Sequence, residues 1–343
     1  MKILVAATMT PFQTGGAAHH IQGLVNALSA AGHEVDLIRL PFKFEPEADV
    51  MRSMEYASAL DMSRPNGIKV DRVISLQFPA WGIQHPDHWV WVMHQHRAVY
   101  ELYDGLPYSR ERELLREKVI EFDNRHLGSA VKVFANSQRV AQRMLRFNDI
   151  QSKPLYHPPA FADKFHLGAA LDYVFFPSRL ETLKRQSLLI KAAARMRSSL
   201  KILIAGSGGQ QYALQQMINE GNLNHKVRLL GALTEEQKIV FYANCLAVAF
   251  PPFDEDYGYV TLEAMLSSKP VLTCTDSGGP LEFVRHEENG WICEPDPVAI
   301  AERLDWMAAH REQVGQAGLR ARESMALQNL RWDDVVEQLT AAS

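Results

Sequence analysis

Residues 246–263 read LAVAFPPFDEDYGYVTLE: a short apolar run, a loop with two prolines, and the start of a helix. The apolar run predicts a buried strand, and the residues from Val260 onward predict a helix. Glu255 would then lie in the loop, and Glu263, eight positions later, on the helix. The first backbone N–H groups of such a helix have no partner within it, which suits a phosphate. The candidate phosphate-binding residues are Tyr257, Gly258, Tyr259 and Val260.

Similar apolar runs alternate with helical segments along the whole chain, which is typical of parallel α/β units. In the first half the predicted strands are residues 2–7, 34–40, 72–76, 89–93 and 131–135. In the second half they are residues 173–176, 201–205, 227–230, 246–250 and 270–274. Each half can therefore form its own doubly wound sheet, and the proline-rich segment at 153–160 is predicted to be the hinge. Ligands of such sheets bind beyond the carboxyl ends of the strands, so we expect the site in a cleft between two facing sheets.

The composition is that of an ordinary globular protein with two domains. The chain has 343 residues, of which 47% are hydrophobic, and a formal net charge of −4, which gives no general attraction to nucleic acid. Its cysteines, Cys245, Cys274 and Cys293, are odd in number and lack metal-ligand spacing, which favours a reducing cytoplasm. No uninterrupted apolar run is long enough to span a bilayer.

Two cations follow the first predicted strand of the second half. Arg179 and Lys184 lie in the segment PSRLETLK. When a sugar–phosphate bond breaks, a diphosphate anion departs, and fixed cations can stabilise its developing charge. Taken alone, the pair is equally consistent with two surface cations.

Glycine-rich loops follow two other predicted strands. Gly15 and Gly16 precede the first predicted helix, where glycines allow a ligand to approach the backbone closely. Gly206 and Gly208 follow the strand at 201–205. Gln211 replaces the third glycine of G-x-G-x-x-G, so a nicotinamide-binding interpretation is weak.

The order of these motifs resembles that of the family 4 retaining glycosyltransferases. The Glu255–Glu263 spacing resembles the E-x7-E signature of that family, and residues 179–184 resemble its G-R-L-x-x-x-K-G pattern, with Ser178 and Arg185 replacing the two glycines. Val227-Arg-Leu-Leu-Gly231 is similar to a V-R-x-x-G segment that in this family lies near the base of the nucleotide. The resemblance implies an α/β chain with the GT-B fold, in which two doubly wound Rossmann-like domains face an interdomain cleft.

The resemblance also implies a domain organisation. Residues 1–157 would form the acceptor-side domain, with a C-terminal helix at about 328–343 packing back on it. Residues 158–327 would bind the nucleotide sugar.

The roles of the site residues follow from the same resemblance. Arg179 and Lys184 would contact the diphosphate, Glu255 the sugar ring and Glu263 the ribose hydroxyls. His94, which closes an apolar run and is preferred to His96 by position, would hydrogen-bond a sugar hydroxyl. The remaining donor-binding candidates are Gly15, Gly16, Gly206, Gly208, Leu230, Tyr257, Gly258, Tyr259 and Val260.

The implied reaction is metal-independent transfer of a hexose, with retention of configuration, from a nucleoside-diphosphate sugar to a hydroxyl of a glycan or lipid-linked glycan. We expect UDP rather than GDP as the carrier, no cofactor, and a cytoplasmic protein with peripheral contact at the inner face of the membrane. Two alternatives stay open: an NAD-dependent oxidoreductase and a non-catalytic GT-B subunit that binds nucleotide sugars.

Three other motifs are interpreted as coincidences. Asp254-Glu-Asp256 matches the D-x-D metal motif of the other glycosyltransferase fold, which does not repeat the α/β pattern. The run TDSGGP at 275–280 matches a serine-protease motif, but the disulfide-bonded β-barrel that such proteases use is absent. We interpret this run instead as a turn that resembles the T-D-x-G-G turn of family 4, with Glu282 beyond it. His85 and His88 have no third ligand at a useful spacing, so we expect no metal site.

Overall fold

The structure, a computed structural model, describes residues 1–12, 15–105 and 107–342. The chain divides into two units. Unit 1 consists of Met1–Ala160 with Arg331–Ser343, and unit 2 of Phe161–Leu330. Each unit contains a six-stranded sheet of its own.

The bounds of the regular elements within the described residues are as follows. The strands are β1 (Lys2–Met9), β2 (Glu34–Pro41), β3 (Arg72–Ser75), β4 (His88–Val92), β5 (Lys132–Ala135), β6 (Lys153–Pro154), β7 (Tyr173–Pro177), β8 (Lys201–Ala205), β9 (Val227–Gly231), β10 (Ala247–Ala249), β11 (Val271–Cys274) and β12 (Gly290–Cys293). The helices are α1 (Gly16–Ala30), α2 (Glu47–Ala59), α3 (Arg110–Gly128), α4 (Gln138–Asn148), α5 (Gln186–Ala193), α6 (Gln211–Glu220), α7 (Glu235–Asn244), α8 (Tyr259–Leu266), α9 (Pro297–Ala309), α10 (Arg311–Gln328) and α11 (Trp332–Thr340). In the described part of the chain no helix combines the length and the apolar character needed to cross a bilayer.

Both sheets are parallel, as the alternation of strands and helices predicted. The strand order in unit 1 is β2-β1-β3-β4-β5-β6, and in unit 2 it is β12-β11-β10-β7-β8-β9. In unit 2 the chain first runs outward from β7 to β8 and β9, then returns to the other side of β7 with β10. The gap between the carboxyl ends of β7 and β10 is therefore a topological switch point, where doubly wound sheets bind ligands.

Every predicted strand is present, with ends that differ from the prediction by at most two residues. Two strands were not predicted. β6 is two residues long, contains Pro154 and lies in the segment predicted to be the hinge, where it pairs with β5 at the edge of the sheet. β12 begins at Gly290, where a Cβ atom would lie 2.5 Å from the carbonyl oxygen of Val271. Glycine permits this close approach, but in the sequence it resembles a turn.

The core of unit 1 follows from the alternation of side chains along β4. Trp89 and Trp91 belong to an apolar cluster that includes Leu24 of α1. Val90 and Val92 belong to a second cluster with residues of α2, α3 and α4. Because successive side chains point to opposite faces of a sheet, this strand contributes to both helical layers.

Helix α11 packs in the core of unit 1. Trp332, Val336 and Leu339 belong to the cluster that includes residues of α1 and β4. The guanidinium of the buried Arg72 donates to the carbonyl oxygens of Leu339 at 2.8 Å and Ala341 at 3.1 Å. A cation at a helix C-terminus satisfies carbonyls that have no partner within the helix, so Arg72 helps to fix this helix in place.

Helix α3 begins with a side-chain cap. Ser109 precedes the helix, and its Oγ accepts a hydrogen bond of 3.1 Å from the backbone N–H of Arg112. On its apolar face Val119 and Leu115 are buried, whereas the adjacent Leu114 is 45% exposed. One position is about 100° of helix rotation, which moves a side chain off the core-facing side.

Candidate functional site

The candidate site of unit 2 is built from the loops that follow β7, β8, β10 and β11. These strands are parallel neighbours, so their carboxyl ends lie at the same edge of the sheet. Hydrogen bonds between loops hold them together: Phe253 N–H donates to Leu183 O at 2.7 Å, and Glu255 N–H donates to Ser277 O at 3.0 Å.

Lys184 and Glu255 meet in this set of loops. Lys184 ends a 3-10 turn after β7, and its ammonium pairs directly with the Glu255 carboxylate from the loop after β10. Both side chains are only 17% exposed. A pair of this kind is held more firmly than a solvated surface pair, so the structure brings together a cation and a carboxylate that are 71 positions apart in the chain.

Arg179 lies in the loop directly after β7, in a more open setting than Lys184. Its guanidinium pairs with Glu181 at 2.8 Å, and the two side chains are 52% and 42% exposed. Such an exposed pair contributes little to stability, so Arg179 can exchange its partner for an anionic ligand without disturbing the fold.

The glycine turn after β8 packs closely against the Arg179 loop. A Cβ atom at Gly206 would lie 2.0 Å from the carbonyl oxygen of Ser178, and one at Gly208 would lie 2.5 Å from that of Leu180. Both glycines also have positive φ, at 137° and 156°. Glycine is therefore required here for packing between loops, whether or not the turn also contacts a nucleotide.

Leu230 lies near the end of β9, next to this turn. The strand ends at Gly231, whose carbonyl oxygen accepts a hydrogen bond of 2.8 Å from Gly206 N–H. Leu230 is partly buried. That Leu230 lies beside a nucleotide base stays a prediction.

Helix α8 begins directly after the Glu255 loop. Its N-cap is Gly258, in a left-handed conformation with φ of 83°, and glycine has no side chain with which to cap the helix. Tyr257 is buried, and its ring packs at 5.2 Å from that of Tyr259. Val260 is partly buried in the first turn of the helix. The helix thus starts where the sequence predicted, with its N-terminus close in the chain to Glu255.

Glu263 lies on α8 and is 8% exposed. Two residues of α7 hold its carboxylate: Tyr242 OH donates to Oε2 at 2.6 Å, and Lys238 Nζ lies 3.2 Å from Oε1. Burial alone would lower the pKa of Lys238, but the carboxylates of Glu263 and Glu235 raise it above its usual value. Sequence analysis missed Lys238 and Tyr242, although their spacing of four residues places them on the same face of a helix.

Arg185 explains one departure from the family pattern. It has φ of 57° and ψ of 39°, a left-handed conformation that glycine adopts freely and that costs other residues about 1–2 kcal/mol. Its guanidinium forms a two-pronged pair with Asp276, at 2.7 and 2.8 Å. The loop therefore keeps a backbone suited to glycine while carrying an arginine.

Comparison with known proteins relates this unit to a group of enzymes. Residues 163–324 match the family model described as glycosyl transferases group 1. The chain is therefore similar to group 1 glycosyl transferases over these residues, which are slightly less than half of its length. A curated relative, human alpha-1,3/1,6-mannosyltransferase ALG2, is 29% identical over 161 residues, which are 42% of this chain and 38% of that protein. The chain thus spans well under two thirds of this relative's length.

Solved structures resemble the whole chain. Sucrose-phosphate synthase from Thermosynechococcus elongatus has a TM-score of 0.81 at 17% identity, covering 99% of this chain and 97% of that one. Anabaena HepE in complex with UDP and glucose has a TM-score of 0.74 at 19% identity, covering 99% and 98%. Together with the two parallel sheets, this likeness shows that the chain has the GT-B fold.

Three predicted site residues lie in unit 1, outside the residues that match the family model. Gly15 is the N-cap of α1 and Gly16 is its first residue, while Gln13 and Thr14 of the same loop lie outside the described residues. His94 follows β4, is partly buried, and lies with its Nδ1 3.0 Å from the carbonyl oxygen of Gln95. The roles assigned to these three residues stay predictions.

His96, the residue rejected in favour of His94, is surrounded by aromatic side chains. It is 5% exposed, and its ring stacks on that of Phe44 and packs 5.3 Å from that of Phe78. Burial lowers the pKa of His96 to about 4. A neutral imidazole packed in this way is part of the core of unit 1.

The motifs interpreted as coincidences have structural roles. The loop 275–280 supports Glu255, since Gly279 N–H donates to Glu255 O at 2.8 Å. His88 is buried, with its Nε2 2.8 Å from Ser75 Oγ, and His85 Nδ1 accepts from Asp87 N–H at 3.0 Å. Within the described residues, no three His, Cys, Asp or Glu side chains are grouped so as to hold a metal ion.

Proposed function

We propose that the chain is a retaining glycosyltransferase of family 4 that transfers a hexose from a nucleoside-diphosphate sugar to a hydroxyl group. The observation that carries the proposal is the Lys184–Glu255 pair, held at the carboxyl edge of a sheet within the residues that match the group 1 glycosyl transferase model. A fixed cation next to a carboxylate offers one group for a departing diphosphate and another for a sugar hydroxyl. A purely non-catalytic binding subunit would not need this arrangement.

Different residues of unit 2 would bind different parts of the nucleotide sugar. Lys184 and Arg179 would contact the diphosphate, aided by the backbone N–H groups at the start of α8. Glu263 would accept hydrogen bonds from the ribose hydroxyls, held in place by Tyr242 and Lys238. Glu255 would accept a hydrogen bond from a hydroxyl group of the transferred sugar. This assignment extends the sequence prediction by two residues of α7.

The proposed reaction is a front-face substitution. The bond between the anomeric carbon and the phosphate oxygen breaks, and its electron pair leaves with the nucleoside diphosphate. The acceptor oxygen forms its bond on the same face, and its proton passes to the departing phosphate. Lys184, shared between Glu255 and the phosphate, stabilises the charge as it develops, which is where a fixed cation accelerates a reaction most.

The finer details of the proposal concern donor, acceptor and location. We propose UDP rather than GDP as the carrier, no metal and no cofactor. HepE, which shares the fold, binds UDP and glucose, and this supports the choice of carrier. The acceptor would be a glycan or lipid-linked glycan, reached by peripheral contact at the inner face of the membrane.

The test is a panel of UDP- and GDP-sugars incubated with the protein, with release of the nucleoside diphosphate measured with and without EDTA. The proposal expects at least one UDP-sugar to be turned over at the same rate in chelator. NMR of the transferred sugar should show the anomeric configuration of the donor. Turnover of no donor, loss of activity in EDTA, or an inverted product would each contradict the proposal.

A further inference from the structure

Arg185 connects the loops that carry the proposed donor-binding residues. It directly follows Lys184 and precedes helix α5, with a left-handed backbone (φ of 57°). A left-handed conformation at a residue other than glycine persists where the surrounding contacts compensate for it. The contacts made by the side chain supply that compensation.

All three nitrogens of the Arg185 guanidinium donate hydrogen bonds. Its Nε donates to Pro251 O at 2.7 Å, and Nη2 donates to Pro252 O at 2.7 Å. Nη1 and Nη2 also donate to the two carboxylate oxygens of Asp276, at 2.8 and 2.7 Å. The side chain is 18% exposed, so these hydrogen bonds are shielded from competing water.

Three loops meet at this guanidinium. Arg185 belongs to the loop after β7, Pro251 and Pro252 to the loop after β10, and Asp276 to the loop after β11. The first of these loops carries Lys184 and the second carries Glu255. A bidentate arginine pair fixes direction as well as distance, so it limits how far the Lys184 and Glu255 loops can move relative to each other.

We propose that Arg185 is a positioning residue, which acts by holding Lys184 and Glu255 at the separation that the reaction needs. The inference rests on the proposed function, because positioning has a catalytic effect only if Lys184 and Glu255 contact the donor. Asp276 is the partner through which Arg185 acts. Arg185 itself would touch neither sugar nor phosphate.

The test compares Arg185→Gly and Asp276→Asn with the wild type, using the donor found in the panel. Glycine adopts the left-handed backbone without strain. Arg185→Gly therefore removes the side-chain hydrogen bonds between the three loops, which we call the clamp, and leaves the turn intact. We expect kcat to fall at least about tenfold, because small displacements of reacting groups are costly, while the donor KM changes less than about threefold. The double variant should be no slower than Arg185→Gly alone, since Arg185→Gly has already removed the contact that Asp276→Asn weakens.

Chemical rescue distinguishes positioning from general stability. Guanidinium ion at low millimolar concentration should raise the kcat of Arg185→Gly, since it can occupy the vacated site between the two proline carbonyls and Asp276. It should not raise the kcat of Lys184→Ala. Arg195→Gly, an arginine in the exposed turn after α5, is the matched control and should keep the turnover of the wild type.

Hydrogen exchange of the unliganded protein gives a readout that does not depend on activity. The amides of Phe253, Glu255 and Gly279, which bridge the loops, should exchange faster in Arg185→Gly and Asp276→Asn than in the wild type. Equal exchange, or a kcat of Arg185→Gly equal to that of the wild type, would overturn the inference. If exchange is faster but the wild type transfers no sugar, the proposed function fails while the clamp stands.

Discussion

The chemistry of several site residues could be predicted from the sequence, but the contacts between them are visible only in the folded structure. Arg179, Lys184, Glu255 and Glu263 were singled out because cations and carboxylates have recognisable chemistry at recognisable spacings. The contacts themselves were not predicted, because Glu255 meets Lys184 across 71 positions and Asp276 meets Arg185 across 91. Contacts at such separations depend on which strands become neighbours, and no local pattern encodes that.

Tyr242 provides a prediction at the scale of a residue. Its OH donates to Glu263 Oε2 at 2.6 Å, so Tyr242→Phe removes one of the groups that orient this carboxylate. Under the proposed function we expect the donor KM to rise about tenfold, because a hydrogen bond to a charged group contributes about 1.5–3 kcal/mol. Steady-state kinetics measures this, with kcat changed less than KM.

Tyr173→Phe is the matched control for that variant. Tyr173 lies in the same unit, and its OH donates to the backbone carbonyl of Phe241 at 2.9 Å rather than to a carboxylate. It should leave the donor KM unchanged. An unchanged KM in Tyr242→Phe, or an equal rise of KM in both variants, would contradict the assignment of Glu263 to the ribose hydroxyls.

At the scale of elements, most of the fold could be predicted because apolar runs and helical periodicity are local signals. The exceptions have local causes. β6 contains a proline and β12 begins with a glycine, so both have the composition of turns. In α3 the sequence offered two adjacent leucines, and only tertiary packing selects Leu115 over Leu114 for burial.

Helices α1 and α11 give a prediction about stability. A Cβ atom at Gly23 of α1 would lie 2.3 Å from the Trp332 ring of α11, so Gly23→Ala must displace this ring or the helix that carries it. We expect a loss of about 1–3 kcal/mol in the free energy of unfolding, the usual effect of overpacking. Urea denaturation followed by tryptophan fluorescence measures it.

Gly128→Ala is the control for this substitution. Gly128 also lies in a helix of unit 1, and a Cβ atom there would meet nothing within 4 Å. It should be neutral or slightly stabilising, because alanine has the higher helix propensity. Equal stability of Gly23→Ala and the wild type would show that α11 does not pack on α1 as described.

At the scale of the whole molecule, duplication of the α/β pattern was enough to predict two sheets. The likeness to solved structures covers 99% of the chain and shows the GT-B fold. The family match is narrower, since residues 163–324 lie entirely in unit 2. The similarity to group 1 glycosyl transferases therefore supports the proposed function through unit 2.

Under the proposed function, Lys184, paired with Glu255 in unit 2, stabilises a departing nucleoside diphosphate. The most direct measurement is the turnover of the best donor sugar by Lys184→Ala, with Lys191→Ala, a substitution of an exposed lysine on helix α5, as the matched control. We expect kcat of Lys184→Ala to fall by about 100-fold or more with the fold intact, and Lys191→Ala to retain wild-type turnover. A folded Lys184→Ala protein with the turnover of the wild type would contradict this role of Lys184.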